Sequence, residues 1–258
     1  MEKGQATLHY LRKGLGQPLL LLHGLGSSSE DWLHQIDAFS DRFDVIAPDF
    51  PLHGASPGNI ETFSLLQCAG LIVSLIEGLE LRNVLVVGVS MGGMIGIELA
   101  TRFPQHLAGL CVVNALAECR PRKLNEWCML ASRRFLLKFV SVETIAKLMA
   151  KQLLPGDAHA QTRDEVISRW SKNHRESYIA SFNAVVGWDA LDKLSNLKCP
   201  LFMLTSEFDY TPVASKKVLA YLYPEGQFAC LPNARHLVPL EKPTEFNQIL
   251  SKWLDEQT

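Results

Sequence analysis

The chain of 258 residues contains no apolar run long enough to cross a bilayer, for which about 20 residues are needed. A membrane-spanning segment is therefore not expected. Its first residues, Met1-Glu2-Lys3-Gly4-Gln5, lack the charged-then-apolar order of a secretory signal. Charge of one sign is also scarce. The 25 Lys and Arg nearly balance 27 Asp and Glu, for a formal net charge of −2, so no global field draws nucleic acid or an anionic membrane surface. Cysteine pairs at metal or redox spacing are missing. Cys68, Cys111, Cys119, Cys128, Cys199 and Cys230 form no C-x-x-C, and free thiols in a reducing cytoplasm suit them better than a disulfide framework. There is no internal repeat, no low-complexity segment, no Walker A loop and no H-E-x-x-H helix. These absences suit a globular cytoplasmic protein. Neither nucleic acid nor membrane is expected as a partner, and no metal or organic cofactor is expected.

What is present is apolar and patterned. Hydrophobic residues make up 47% of the chain, and its length allows a single large domain, or a core with an insertion, to bury about three quarters of the unfolded surface. Short apolar runs alternate with longer helical patterns, which implies a mostly parallel sheet covered on both faces. Strands are expected at 8–11, 19–22, 44–47, 84–87, 109–113, 201–205 and 227–231, and helices at 31–39, 62–79, 91–103, 212–223 and 243–255. The alternation stops between residues 116 and 185, where only helical patterns occur, at 124–140, 142–153 and 164–185. The chain thus reads as an α/β core, residues 1–115 and 186–258, with a helical cap inserted at 116–185. Ligands of open α/β sheets bind beyond strand ends, so such an insertion would lie over the site as a lid.

Gly88-Val89-Ser90-Met91-Gly92 follows the apolar run 84–87 and precedes a helical stretch. Strand, G-x-S-x-G and helix in that order force a tight turn with the serine at its tip and backbone N–H groups beside it. A serine hydroxyl is a weak nucleophile until a base takes its proton. That base is a histidine held by a carboxylate. Downstream strand ends offer both groups. Glu207 and Asp209 follow the run 201–205, and His236 follows 227–231.

Four blocks together resemble the α/β-hydrolase family, in its small cofactor-free esterase, lactonase and C–C-bond hydrolase branch. They are His23-Gly24-Leu25-Gly26, the segment Asp49-Phe50-Pro51-Leu52-His53-Gly54-Ala55-Ser56, Gly88 to Gly93, and the surroundings of Asp209 and His236. The resemblance spans the core on both sides of the insertion. It implies an α/β-hydrolase fold and a catalytic triad of Ser90, Asp209 and His236 in that chain order. It also implies an oxyanion hole from the N–H groups of Leu25 and Met91. Asp209 is favoured over Glu207 because it occupies the aspartate of the family's G-x-x-D segment, where Ser206 stands for the usual glycine. His23 reads as a loop-orienting residue, and Asp49 and His53 as parts of a structural loop. The family writes that loop D-x-R-G-H-G-x-S; here Pro51-Leu52 replaces the Arg-Gly pair, and with it any salt bridge of the arginine.

The implied activity is hydrolysis of a small carboxylic ester or lactone through an acyl-enzyme. C–C bond hydrolysis and cofactor-free perhydrolase or lyase chemistry are the alternatives on the same scaffold. Ser90 argues against the haloalkane dehalogenase and epoxide hydrolase chemistry that the resemblance associates with aspartate at its position. Two other classes compete. Gly24-Leu25-Gly26 with Asp49 mimics a dinucleotide fingerprint, but its third glycine is missing and it explains neither Ser90 nor His236. A non-catalytic binding module of the same fold would have lost part of the triad, and all three candidates are present. The insertion is basic, with twelve Lys or Arg against seven Asp or Glu, and Arg120, Arg122, Lys123, Arg133 and Arg134 cluster near its start. A solvated helical face accounts for this; recognition of an anionic substrate or acyl carrier is the alternative. Trp127, Met129, Leu130, Phe135, Leu136 and Phe139 recur at helical spacing, and are expected to divide between core and pocket.

Overall fold

Each expected apolar run becomes a strand of the protein, known here as a computed structural model that describes residues 8–121, 124–223 and 226–257. Arg122 and Lys123, and the side chains of Met129 and Arg133, lie outside the described residues. The strands are Tyr10–Lys13 (β1), Gln17–Leu22 (β2), Phe43–Pro48 (β3), Val84–Val89 (β4), Leu107–Val113 (β5), Leu201–Ser206 (β6) and Gln227–Leu231 (β7). They form one sheet in the order β1-β3-β2-β4-β5-β6-β7. Among the described strands, the β1–β3 pair is antiparallel and the other pairs are parallel. β3, β4 and β6 are buried along their whole length, which is why they read as unbroken apolar runs rather than alternating ones.

The two faces of the sheet fill separate cores with period 2. Leu20, Val84, Val86, Leu110 and Val112 face one core, together with Ile72 and Ile76 of the helix Leu65–Gly78 (α2) and Ile95 and Leu99 of Met91–Arg102 (α3). Leu19, Leu85, Val87 and Cys111 face the other. That core is completed by Ile36 and Phe39 of Leu33–Phe39 (α1) and by Phe246, Leu250 and Trp253 near the C-terminus. Winding reverses between β3 and β4, which flank β2. The loops after β2 and β4 therefore meet at the topological switch point, where α/β sheets open a ligand crevice.

Among the described residues, four α-helices lie between β5 and β6: Leu124–Phe139 (α4), Val142–Leu153 (α5), Ala160–Trp170 (α6) and Arg175–Val185 (α7). The single helix expected at 164–185 is thus two. Asn173 accounts for the break: its side-chain amide donates to Trp170 O at 3.0 Å and to Gly26 O at 2.6 Å, ending α6 and tying it to the loop after β2. His174 then leaves the helical region, at φ −74° and ψ 138°. The helix expected from Asp31 starts instead at Leu33, after a 3₁₀ turn over Ser29–Trp32. Ala146 and Ala150 of α5 and Val166 and Trp170 of α6 pack on Leu237 and Leu240. Tyr178 and Phe182 cluster with Leu25. The remaining helices are Val213–Tyr221 (α8), Val238–Glu241 (α9) and Pro243–Asp255 (α10). No helix among the described residues is long and apolar enough to cross a membrane.

Candidate active site

Ser90 sits between β4 and α3 at φ 55° and ψ −119°, a conformation that costs an L-residue about 1–3 kcal/mol. Packing over-determines it. Ser90 N–H donates to Val113 O at 2.9 Å, and Ser90 O accepts from Met94 N–H at 3.1 Å. The flanking glycines are obligatory because the turn has no room for a side chain. A Cβ on Gly88 would lie 2.3 Å from Gly92 O, and one on Gly92 would lie 2.1 Å from Leu22 O. Ser90 is the N-cap of α3, yet its side chain caps no N–H. Met91 opens the helix, and the first N–H groups of a helix have no intrahelical acceptor. Gly24 abuts Ser90: a Cβ there would sit 3.6 Å from Ser90 Cβ, which brings the Gly24-Leu25 backbone beside the elbow.

His236 and Asp209 meet beyond the ends of β7 and β6. His236 Nδ1 bonds Asp209 Oδ1 at 2.6 Å. Burial alone would raise the Asp209 carboxyl, but the hydrogen bond and charge of His236 and the charge of Lys216 outweigh it and hold it at about 2. Asp209 Oδ2 accepts from Lys216 Nζ and Thr211 Oγ1. On the other ring nitrogen, His236 Nε2 bonds the Tyr210 hydroxyl at 2.9 Å rather than Ser90 Oγ. Asn114, just past β5, ties these strand ends together. Its Oδ1 accepts from Ser206 N–H at 2.9 Å, and its Nδ2 donates to Ser206 Oγ at 2.9 Å and to His236 O at 3.0 Å.

Sequence reasoning missed Tyr210, Lys216 and Asn114. A signal existed for Lys216, which shares the buried stripe of α8 with Leu219 and Ala220 at i, i+3, i+4 spacing. A charge on an apolar stripe calls for a partner.

Glu207 is turned away from the imidazole: its Oε2 accepts from Asn233 N–H at 2.8 Å. His23 is buried inside its loop. Its Nδ1 is 2.8 Å from Gly24 O, and its Nε2 accepts from Phe50 N–H at 3.0 Å. Burial and the neighbouring His53 push its pKa down to about 3, so it orients backbone as a neutral ring. Asp49 accepts from Ser29 N–H at 2.7 Å and Ala55 N–H at 2.9 Å, and pairs with His9 Nδ1 at 2.8 Å. His53 Nδ1 lies 2.9 Å from Pro51 O. Leu52 holds φ 68°, so the left-handed turn persists where the family pattern has glycine.

Residues 19–249 match the profile of the alpha/beta hydrolase family. The chain belongs to that family. An (E)-2-((N-methylformamido)methylene)succinate hydrolase of Acinetobacter baylyi is 27% identical over 253 residues, covering 96% of this chain and 94% of that protein. A pimeloyl-[acyl-carrier protein] methyl ester esterase of Aeromonas hydrophila is 27% identical over 255 residues, covering 94% and 97%. A thermophilic esterase of Thermogutta terrifontis, solved with malate bound, superimposes with a TM-score of 0.86 at 26% identity, covering 97% of this chain and 93% of the other. The protein is a hydrolase of this family.

Ser90 and His236 of the hydrolase line one cavity of about 70 Å³. Its walls are apolar, built by Leu25, Trp32 and Val89 of the core, Met149, Leu153 and Trp170 of the insertion, and Leu237 and Leu240 beside the histidine. Asp31 and His236 are the charged or titratable side chains on an acidic or basic footing there, and no Lys or Arg lines it among the described residues. Burial raises the Asp31 carboxyl, against the pull of Arg169 and of hydrogen bonds from Ser27 and Trp170. Several of the described basic side chains of residues 116–185 have partners of their own. Arg120 pairs with Asp189 at 2.8 Å, Arg134 bonds Asn183, Arg163 bonds the carbonyls of Leu154 and Gly156, and Arg169 pairs with Asp31 at 2.7 Å.

Proposed function

We propose that this hydrolase cleaves small, neutral carboxylic esters or lactones through an acyl-enzyme on Ser90, with residues 116–185 as a cap over the site. The observation that carries the reading is the 2.6 Å bond between His236 Nδ1 and Asp209 on a cavity shared with the elbow serine. That bond favours the tautomer in which Nδ1 carries the proton and Nε2 is the base. Nε2 takes the Ser90 proton as Oγ attacks the ester carbonyl. The N–H groups of Leu25 and Met91 hold the oxyanion, each worth about 3 kcal/mol in the transition state. His236 returns the proton to the leaving alcohol, then activates the water that releases the acid.

The cavity supports the substrate class. An anion buried against leucine, methionine and tryptophan without a cation costs several kcal/mol, and the lining offers no Lys or Arg. The Acinetobacter relative is named for a succinate substrate, a charge this lining is not built to meet. p-Nitrophenyl butyrate is expected to exceed the p-nitrophenyl hemiester of succinate by at least about 100-fold in kcat/KM, the equivalent of about 3 kcal/mol. Equal or reversed rates would overturn the neutral-substrate reading.

Tyr210 must release Nε2 before that atom can accept the serine proton. Tyr210→Phe is therefore expected to speed labelling of Ser90 by a fluorophosphonate about fivefold, the equivalent of one hydrogen bond of about 1 kcal/mol. Slower labelling in the variant would mean that the hydroxyl assists the reaction rather than occupying the base.

A further inference from the structure

Lys216 is a charged side chain with no solvent exposure, and Asp209, its partner, has none either. Leaving an ammonium unpaired in such a place costs several kcal/mol. Here its three N–H bonds are matched by three oxygens: Asp209 Oδ2, Thr205 Oγ1 at 2.8 Å and Asn114 Oδ1 at 3.4 Å. Thr205 is at the end of β6 and Asn114 just past β5, so the ammonium is fixed by the sheet rather than by a mobile loop. His236 holds the other oxygen of the same carboxylate at 2.6 Å. The carboxylate therefore stands between an imidazole and a cation.

We propose that Lys216 is a positioning residue for the base: its charge offsets that of Asp209, the carboxylate that His236 holds, and so sets how far the acid limb of kcat/KM reaches toward low pH. This rests on the triad reading of Ser90, His236 and Asp209. An adjacent carboxylate favours the imidazolium, and a cation close to that carboxylate opposes it. The other charged or titratable groups around the histidine do not supply this offset. Tyr210 is at Nε2, and Ser90 and Asp31 line the cavity, with Asp31 tied to Arg169. Arg235 lies over Phe208, and Glu241 is 3.9 Å from His159. Glu207 holds Asn233 N–H, and Cys230, an exposed neighbour of Lys216, has its thiol raised and adds no charge.

The test is the pH dependence of kcat/KM for p-nitrophenyl acetate, from about pH 5 to about pH 9, in the wild type, Lys216→Met and Lys216→Arg. Removing the cation lets Asp209 pull the proton onto His236 at higher pH. Lys216→Met should therefore move the acid limb up by about one pH unit, while Lys216→Arg keeps it in place. A lysine needed only for folding would lower stability without moving the limb. A folded methionine variant with the wild-type limb, or an arginine variant displaced as far as the methionine one, overturns the proposal. Lys216→Gln, which keeps a donor without the charge, replaces the methionine variant if that one does not fold, with the same two outcomes. Failure of the triad reading is distinguishable: hydrolysis would then survive Ser90→Ala or Asp209→Asn, whatever the Lys216 variants do.

Discussion

Ser90→Ala is expected to lower kcat for ester hydrolysis by about 10⁶-fold, with little change in KM, as for loss of the nucleophile in other serine hydrolases. The substitution takes away one oxygen and nothing else that the fold uses. Alanine has the same Cβ, and the strain of φ 55° is common to both residues. The bonds from Ser90 N–H to Val113 O and from Met94 N–H to Ser90 O belong to the backbone. The hydroxyl caps no helical N–H, so stability should stay within about 0.5 kcal/mol of wild type. Residual turnover would come from the oxyanion donors and binding alone. A fluorophosphonate should label the wild type stoichiometrically and leave the variant unlabelled. Activity within about tenfold of wild type in a folded Ser90→Ala protein would move the chemistry to another group.

The strands and the candidate residues past them were legible because each follows from a local rule, whereas the choice of Asp209 over Glu207 is what the family resemblance implies. Apolar runs buried on both faces read as parallel strands, and the residue just past each run is delivered to the same edge of the sheet. Ser90, Asp209 and His236 all lie just past such runs. The gap between α6 and α7 was not legible, because the acceptors of Asn173 are Trp170 O and Gly26 O, and the second is distant in sequence. No glycine or proline marks the break. The 3₁₀ turn at Ser29–Trp32 was hidden for the same reason: Asp31 is held by Arg169 from the insertion. Lys216 could be seen as a charge on an apolar stripe, but not that its partner is the carboxylate on His236. Tyr210 follows Asp209 directly, and only the folded turn brings its hydroxyl to Nε2. Local pattern carries the elements and the chemistry-bearing residue types, whereas partners that meet across the fold are decided by packing.

Asp209→Asn is expected to cost about 10⁴-fold in kcat, by analogy with the same change in other triads, and Glu207→Gln less than about threefold. The difference follows from what each carboxylate touches. Asp209 receives His236 Nδ1 at 2.6 Å; an asparagine can present an amide there, favour the wrong tautomer and leave no charge to stabilise the imidazolium. Glu207 receives the Asn233 N–H, on an exposed turn. Asp209→Asn also strips the buried Lys216 of its counter-charge, and breaking one side of such a pair destabilises by about 3–5 kcal/mol. Loss of activity in that variant alone would therefore confuse catalysis with folding. The double variant Asp209→Asn/Lys216→Met removes both charges and should recover most of that stability, while kcat stays as low as in Asp209→Asn. Thermal unfolding and kcat, measured on the same preparations, separate the two effects. If the double variant regains activity along with stability, Asp209 serves the fold and not the reaction; if Glu207→Gln is the crippled protein, the triad acid is Glu207.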